Sequence, residues 1–227
     1  MTDRTQFQPR TIAIIGGTGA QGGGLALRWA RAGHRIIVAS RDPAKAERAV
    51  AGMAALVPEG SLSHAGYVDA ASRGEIVVLT VPYAAQRASV EEIGEAVAGK
   101  ILVDATVPLK PPKVARVQLP PGGSAVLALQ DVAPASTRIV SAFQNVSASH
   151  LQDVEHGLDC DVLVAGDDPE ARQVVIGLSR DIGLRAWHAG PLCNSAAAEA
   201  LTSVLIAINS RYKVPGAGIR ITGIPDA

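Results

Sequence analysis

The sequence is short of several things, and each shortage removes a class of function. Only two cysteines, Cys160 and Cys193, occur in 227 residues. That is too few for a disulfide framework or for a zinc site built mainly from thiolates. Aromatic residues make up 3%, which leaves little on which to stack unpaired bases. Excess charge of one sign is missing too, because 21 basic residues balance 21 acidic ones. A neutral chain offers no footprint to nucleic acid or to an anionic membrane surface, so neither is expected as a partner. No apolar run reaches the roughly 18 residues expected of a membrane helix. Residues 1–10 are polar, carry no signal-peptide core and read as a flexible leader. The expectation is a cytoplasmic protein with reduced thiols.

Familiar catalytic kits are absent as well. There is no GxSxG elbow and no HExxH helix, so neither a hydrolase of that design nor a zincin is expected. His150, His156, Asp159 and Cys160 lie close together, but their spacing matches no metal motif. No metal is expected. No Lys/Asn or His/carboxylate set suggests proton transfer to a hydroxyl, and no catalytic side chain is singled out. Reduction of a carbonyl usually needs an acid near the oxygen. Hydride exchange between two ring carbons needs mainly proximity and orientation.

What is present is an alternation of strand and helix. About half of the residues are hydrophobic, enough for a core. Runs at 11–15, 34–40, 75–81 and 100–107 are apolar almost throughout, as strands covered by helices on both faces are. Helical stretches at 25–31, 44–53 and 84–98 separate them, and Asp42 before Pro43 reads as a cap. The fold class expected is α/β, a Rossmann-type doubly wound parallel sheet. Residues 108–124 hold five prolines and the pair Gly122-Gly123, and read as a loop or lid. Further strands are expected at 138–143 and 161–165, and helices at 125–132, 169–182 and 196–212. The last helix is apolar on most sides, and a buried place is expected for it. The division expected is a Rossmann domain over 11–150 and a small C-terminal domain over 151–227.

Gly17-Thr18-Gly19-Ala20-Gln21-Gly22 follows the first strand and opens a helix. In that setting GxGxxG is a dinucleotide fingerprint. The first glycine permits the turn, the second admits the pyrophosphate, and the third lets helix and strand pack closely. The pyrophosphate then meets unpaired N–H groups at the positive end of the helix. After the second strand, where NAD-binding chains place an acid for the ribose, this chain has Ser40 and Arg41, with Lys45 one turn on. A hydroxyl, a guanidinium and an ammonium suit a 2′-phosphate, so NADP is expected. Thr80-Val81-Pro82 and Ala105-Thr106-Val107 end their strands on the same edge.

Several segments together resemble the F420-dependent NADP reductases. They are Ile14-Ile-Gly-Gly-Thr-Gly19, Ala39-Ser-Arg-Asp42, Thr80-Val-Pro82, Asp104-Ala-Thr-Val-Pro-Leu-Lys110, Asp161-Val-Leu-Val-Ala-Gly-Asp-Asp168, Ala189-Gly-Pro-Leu192 and Gly218-Ile-Arg-Ile-Thr-Gly223. The resemblance implies hydride transfer between C5 of the deazaflavin F420 and C4 of nicotinamide, with ring-on-ring proximity as the device. It also implies a C-terminal domain closing over the deazaflavin, and a homodimer. By motif, Thr18, Gly19, Ala20 and Gln21 would line the pyrophosphate, and Ser40, Arg41 and Lys45 the 2′-phosphate. Val81, Val107 and Ala148 would border the nicotinamide half. The deazaflavin would lie near Gln144, near Pro191, Leu192 and Asn194 in the 190–195 loop, and near the helix over 201–209. Many family members carry histidine where this chain has Gln144. That departure leaves an alternative beside F420:NADP exchange, reduction of another small metabolite (an imine or carbonyl) with NADPH. A further alternative, of a different class, is a non-catalytic NADP sensor.

Overall fold

The structure, a computed structural model, describes residues 8–224. The first seven residues of the expected leader lie outside the described residues. Its end is tied down: the Arg10 N–H donates to His34 Nδ1 at 3.1 Å.

Eight strands form one sheet in the order β3-β2-β1-β4-β5-β6-β7-β8. They are β1 (Thr11–Ile15), β2 (Arg35–Ala39), β3 (Ser61–Ala65), β4 (Ile76–Leu79), β5 (Ile101–Asp104), β6 (Arg138–Ser141), β7 (Asp161–Gly166) and β8 (Arg185–His188). The first six run parallel. Ile12, Ala13, Ile14 and Ile15 of β1 have no exposed surface. They feed two apolar cores, because alternate residues of a strand point to opposite faces. This is why the central strands read as continuous apolar runs. The polar edge strands β3 and β8 carry no such run and were not expected.

Helices α1 (Ala20–Arg31), α2 (Pro43–Leu56), α3 (Tyr67–Arg73), α4 (Tyr83–Ile93), α5 (Ala148–Gln152), α6 (Pro169–Asp181) and α7 (Ser195–Tyr212) cover the faces. Asp42 caps α2 as expected, accepting from the Lys45 N–H at 3.1 Å. The helix expected over 84–98 ends early. Gly94 has a φ of +42°, and the chain tightens into a short 3₁₀ turn over Gly94–Val97. The helix expected over 125–132 is only a 3₁₀ turn, Leu127–Asp131.

Two features depart from the sequence reading. The sheet is not parallel throughout: β7 is antiparallel to β6, and β8 then runs parallel to β7. The carboxyl ends of β7 and β8 therefore lie at the opposite edge from those of β1 to β6. Nor is α7 buried. Ser195, Ala198, Glu199, Ser203 and Leu205 face inward, whereas Val204, Ile208 and Tyr212 are exposed. Over 192–212 the chain is long and apolar enough, by length and composition, to cross a membrane, which the sequence reading did not expect. It is instead bound into the fold by the buried Glu199.

Residues from both sides of position 150 share one core. Trp29 of α1 is fully buried, donates from Nε1 to Leu178 O at 2.9 Å and meets the Phe143 ring edge-on. Arg28 donates to the carbonyls of His150, Leu151, Asp153 and His156. Gly24 permits this contact, because a Cβ there would lie 2.5 Å from Leu151 Cβ.

Candidate active site

The carboxyl ends of β1, β2, β4, β5 and β6 open onto one cleft of about 1060 Å³. It lies where the strand order reverses between β1 and β4, the usual ligand crevice of such sheets. The turn after β1 forms its floor. Thr18, Gly19, Ala20 and Gln21 line it, while Gly17 and Gly22 lie buried beneath. A Cβ on Gly22 would meet Thr80 Oγ1 at 2.4 Å and Gly17 Cα at 2.9 Å, so this glycine serves close packing. A Cβ on Gly19 would touch only Gly16 O, at 3.3 Å. Its free side faces the cleft. Helix α1 has no acid in its first turn and no side-chain cap, whereas Asp42 caps α2 and Asp168 caps α6. Its first N–H groups are thus available to an anion. Gln21 Nε2 donates to Phe143 O at 2.9 Å and ties the turn to the segment after β6.

The basic end of the cleft is built by Ser40, Arg41 and Lys45. Ser40 Oγ accepts from the Asp42 N–H at 3.1 Å, which shapes the bend after β2. Arg41 lies over the Tyr67 ring, its Cζ 5.2 Å from the centroid. Tyr67 was not anticipated, since its helix α3 was not expected from the sequence. Burial pushes its phenol up from the ordinary value.

Beyond the turn, Val81 and Val107 line the middle of the cleft, and Ala148 lies at its rim. Gln144 lines it too and is almost fully buried. Phe143 has a φ of +72°, an unusual conformation for a bulky residue. That bend carries Gln144 back beneath the ends of β5 and β6. Gln144 Nε2 donates to Asp104 O at 2.8 Å and to Ser141 Oγ at 2.9 Å. The Asp104 carbonyl, which can only accept, fixes the amide's orientation. Underneath lies Asp104, with no exposed surface. Its carboxylate accepts from the Thr106 N–H at 2.7 Å and from Gln86 Nε2. Burial pushes this carboxyl up to about 6, against the pull of those hydrogen bonds.

The far wall comes from α7 and from the proline-rich loop. Thr202, Leu205, Ile206 and Asn209 face Leu109, Pro111 and Val114 across the cleft. Asn145 Nδ2 donates to Ala198 O at 2.8 Å, and Thr202 Oγ1 donates to Gln144 O at 2.9 Å. These bonds seat α7 against the segment after β6.

Pro191, Leu192 and Asn194 do not line this cleft. Leu192 is buried in an apolar core, its N–H bonded to Asp167 Oδ1 at 2.9 Å, and Asn194 Nδ2 donates to Ala189 O at 2.7 Å. The physical reason is the antiparallel entry of β7: the loop after β8 emerges at the opposite edge of the sheet. Elsewhere, His150 and His156 stack with centroids 4.3 Å apart and line a separate cavity of about 200 Å³ with Cys160. Burial raises the Cys160 thiol to about 11, which keeps it protonated and unreactive.

Residues 11–108 match the model of a family described as "NADP oxidoreductase coenzyme F420-dependent". The chain is 41% identical over 222 residues to the F420-dependent NADP reductase of Methanothermobacter thermautotrophicus, covering 95% of this chain and 96% of that one. It is 42% identical over 221 residues to the enzyme of the same name from Methanocaldococcus jannaschii, covering 94% and 98%. The chain belongs to the F420-dependent NADP reductases. A crystal structure titled as a putative F420-dependent NADP reductase from Arthrobacter sp. FB24 superposes with a TM-score of 0.78. It is 27% identical and covers 94% of this chain and 99% of that one. An imine reductase from Myxococcus stipitatus shares the fold at a TM-score of 0.57 and 19% identity, over 91% of this chain and 62% of that one.

Proposed function

We propose that this protein passes hydride between NADP and the deazaflavin F420, both held in the cleft above β1, β4, β5 and β6. The observation that carries this reading is the continuity of the cleft. One end has the uncapped helix α1, Ser40, Arg41 and Lys45; the other is walled by α7 and the proline-rich loop. At about 1060 Å³ it reaches the upper end of what a single drug-sized ligand fills. It is also open to solvent, as a broad flat partner ring requires. A small imine or carbonyl would favour an enclosed pocket, and a sensor would need no second wall.

The bound cofactors supply the chemistry: a dihydropyridine or dihydrodeazaflavin carbon donates hydride to the other ring. The chain's own residues bind and orient. The turn over 18–21 holds the pyrophosphate. Ser40, Arg41 and Lys45 hold the 2′-phosphate. Val81, Val107 and Ala148 would border the nicotinamide half, and Gln144 would be the lining residue nearest the second ring. Holding two reactants in register removes much of the entropic barrier. Residues 151–227, through α7, form the part that covers the second substrate. A homodimer is the accompanying proposal, supported by the exposed apolar stripe Val204, Ile208 and Tyr212 on α7.

The test is direct. Purified protein given reduced F420 and NADP should produce NADPH and oxidised F420 in equal amounts, followed by absorbance. Failure to exchange at any pH with authentic F420, while NADPH still binds, would reject the reading and leave the two alternatives, an NADPH-dependent reductase of another small metabolite and a sensor.

A further inference from the structure

Arg41 is not a free surface cation. Its Nε donates to Glu92 Oε2 at 2.9 Å, and its Nη2 reaches Ser89 Oγ at 3.4 Å. Both partners lie on α4, one helical turn apart, and Ser89 has no exposed surface. Tyr67 supports the face of the guanidinium from α3. Three contacts from two helices therefore engage one edge and one face of the group. Nη1 makes no hydrogen bond among the described residues and is left for an incoming ligand. A long side chain of this kind loses considerable rotamer freedom when a ligand fixes it. Here part of that loss occurs before binding.

We infer that Glu92 is a positioning residue for cofactor selection: it pre-orients Arg41 for the 2′-phosphate and so sets the preference for NADP over NAD. The inference rests on the reading of Arg41 as a 2′-phosphate ligand. Two effects of Glu92 oppose each other. Its hydrogen bond aligns the guanidinium, while its negative charge repels a phosphate. In an exposed, screened setting charge effects between surface groups are small, so alignment dominates. Glutamine at 92 keeps the acceptor and removes the charge; alanine removes both.

The experiment measures binding of adenosine 2′,5′-bisphosphate and of 5′-AMP to the full chain by calorimetry. Wild type, E92Q, E92A and R41A are compared, with melting temperatures as a control on folding. The ratio of the two affinities reports the 2′-phosphate alone. E92A should lower that ratio about fivefold, equivalent to roughly 1 kcal/mol, without weakening 5′-AMP. E92Q should match or exceed wild type. R41A should reduce the ratio most. A ratio unchanged or raised in E92A, with R41A still impaired, overturns the role of Glu92 and leaves the 2′-phosphate reading standing. Equal weakening of both ligands in E92A also overturns it, as a merely structural effect. An unchanged ratio in R41A overturns the 2′-phosphate reading and this inference with it.

Discussion

Asp104 shows how one side chain can be read from its surroundings but not from its neighbours in sequence. In the strand Ile-Leu-Val-Asp it looks like an end marker. In the fold it is fully buried beneath Gln144 and Thr106, and burial raises its carboxyl from 3.8 to about 6. Between those values the folded chain holds a proton that the unfolded chain has released. Stability from this group therefore falls as pH rises from about 4 to about 6. Asp104→Asn removes the titration and keeps an acceptor for the Thr106 N–H. Relative to wild type, the variant should gain on the order of 2–3 kcal/mol between pH 4 and pH 8. Denaturant melts across that range check this, and parallel curves for the two proteins would contradict it. At the basic notch, Arg41→Ala should cost about 1.5–3 kcal/mol of NADP binding, the scale of a charged hydrogen bond. NAD should be nearly unaffected; titrations with both cofactors decide.

Among the elements, the glycine turn and α7 give contrasting tests. Gly19 faces the cleft, and Gly22 faces Thr80 and Gly17. Gly19→Ala should melt within a few degrees of wild type yet lose NADP affinity at least tenfold, because its methyl occupies pyrophosphate space. Gly22→Ala should lose stability itself, since backbone on one side leaves the methyl nowhere to go. Thermal melts beside cofactor titrations separate the two. In α7, Glu199 is 1% exposed. Its carboxylate accepts from Ser124 Oγ at 2.6 Å and from the Ala125 and Val126 N–H groups at 2.7 and 3.2 Å. It thus caps the 3₁₀ turn of the loop that carries the opposite wall. Glu199→Ala strands the buried Ala125 and Val126 N–H groups, while Ser124 Oγ keeps Ser195 Oγ at 2.6 Å, and should cost about 2–4 kcal/mol. Chemical unfolding measures the loss.

At the level of the whole molecule, one sheet and two cores join the residues before and after position 150. The uncovered surface of α7 stands out, with Val204, Ile208 and Tyr212 spaced at helical intervals on its outer side. If a second copy covers them, Ile208→Glu places a charge at the contact and should shift the protein to monomer. Sedimentation of wild type and variant tests this, and a monomeric wild type would remove the homodimer proposal.

Local chemistry made much of this legible in the chain. A buried parallel strand must be apolar on both faces, so β1, β4 and β5 announce themselves. A pyrophosphate needs glycine where the backbone must approach, and a 2′-phosphate excludes the usual carboxylate, so 17–22, Ser40, Arg41 and Lys45 could be proposed from residue types, and the fold brings 18–21, Ser40, Arg41 and Lys45 to one cleft. Edge strands β3 and β8 need no such pattern and left no signal. The direction of β7 left none either, because an antiparallel strand bears the same residues as a parallel one. That single reversal carries Pro191, Leu192 and Asn194 to the edge opposite the cleft. It is also α7, folded back across the sheet, that brings Thr202, Leu205, Ile206 and Asn209 to a wall some sixty residues distant from Gln144. Strand polarity and helix return are set by packing between distant segments, and no local pattern of residues encodes them.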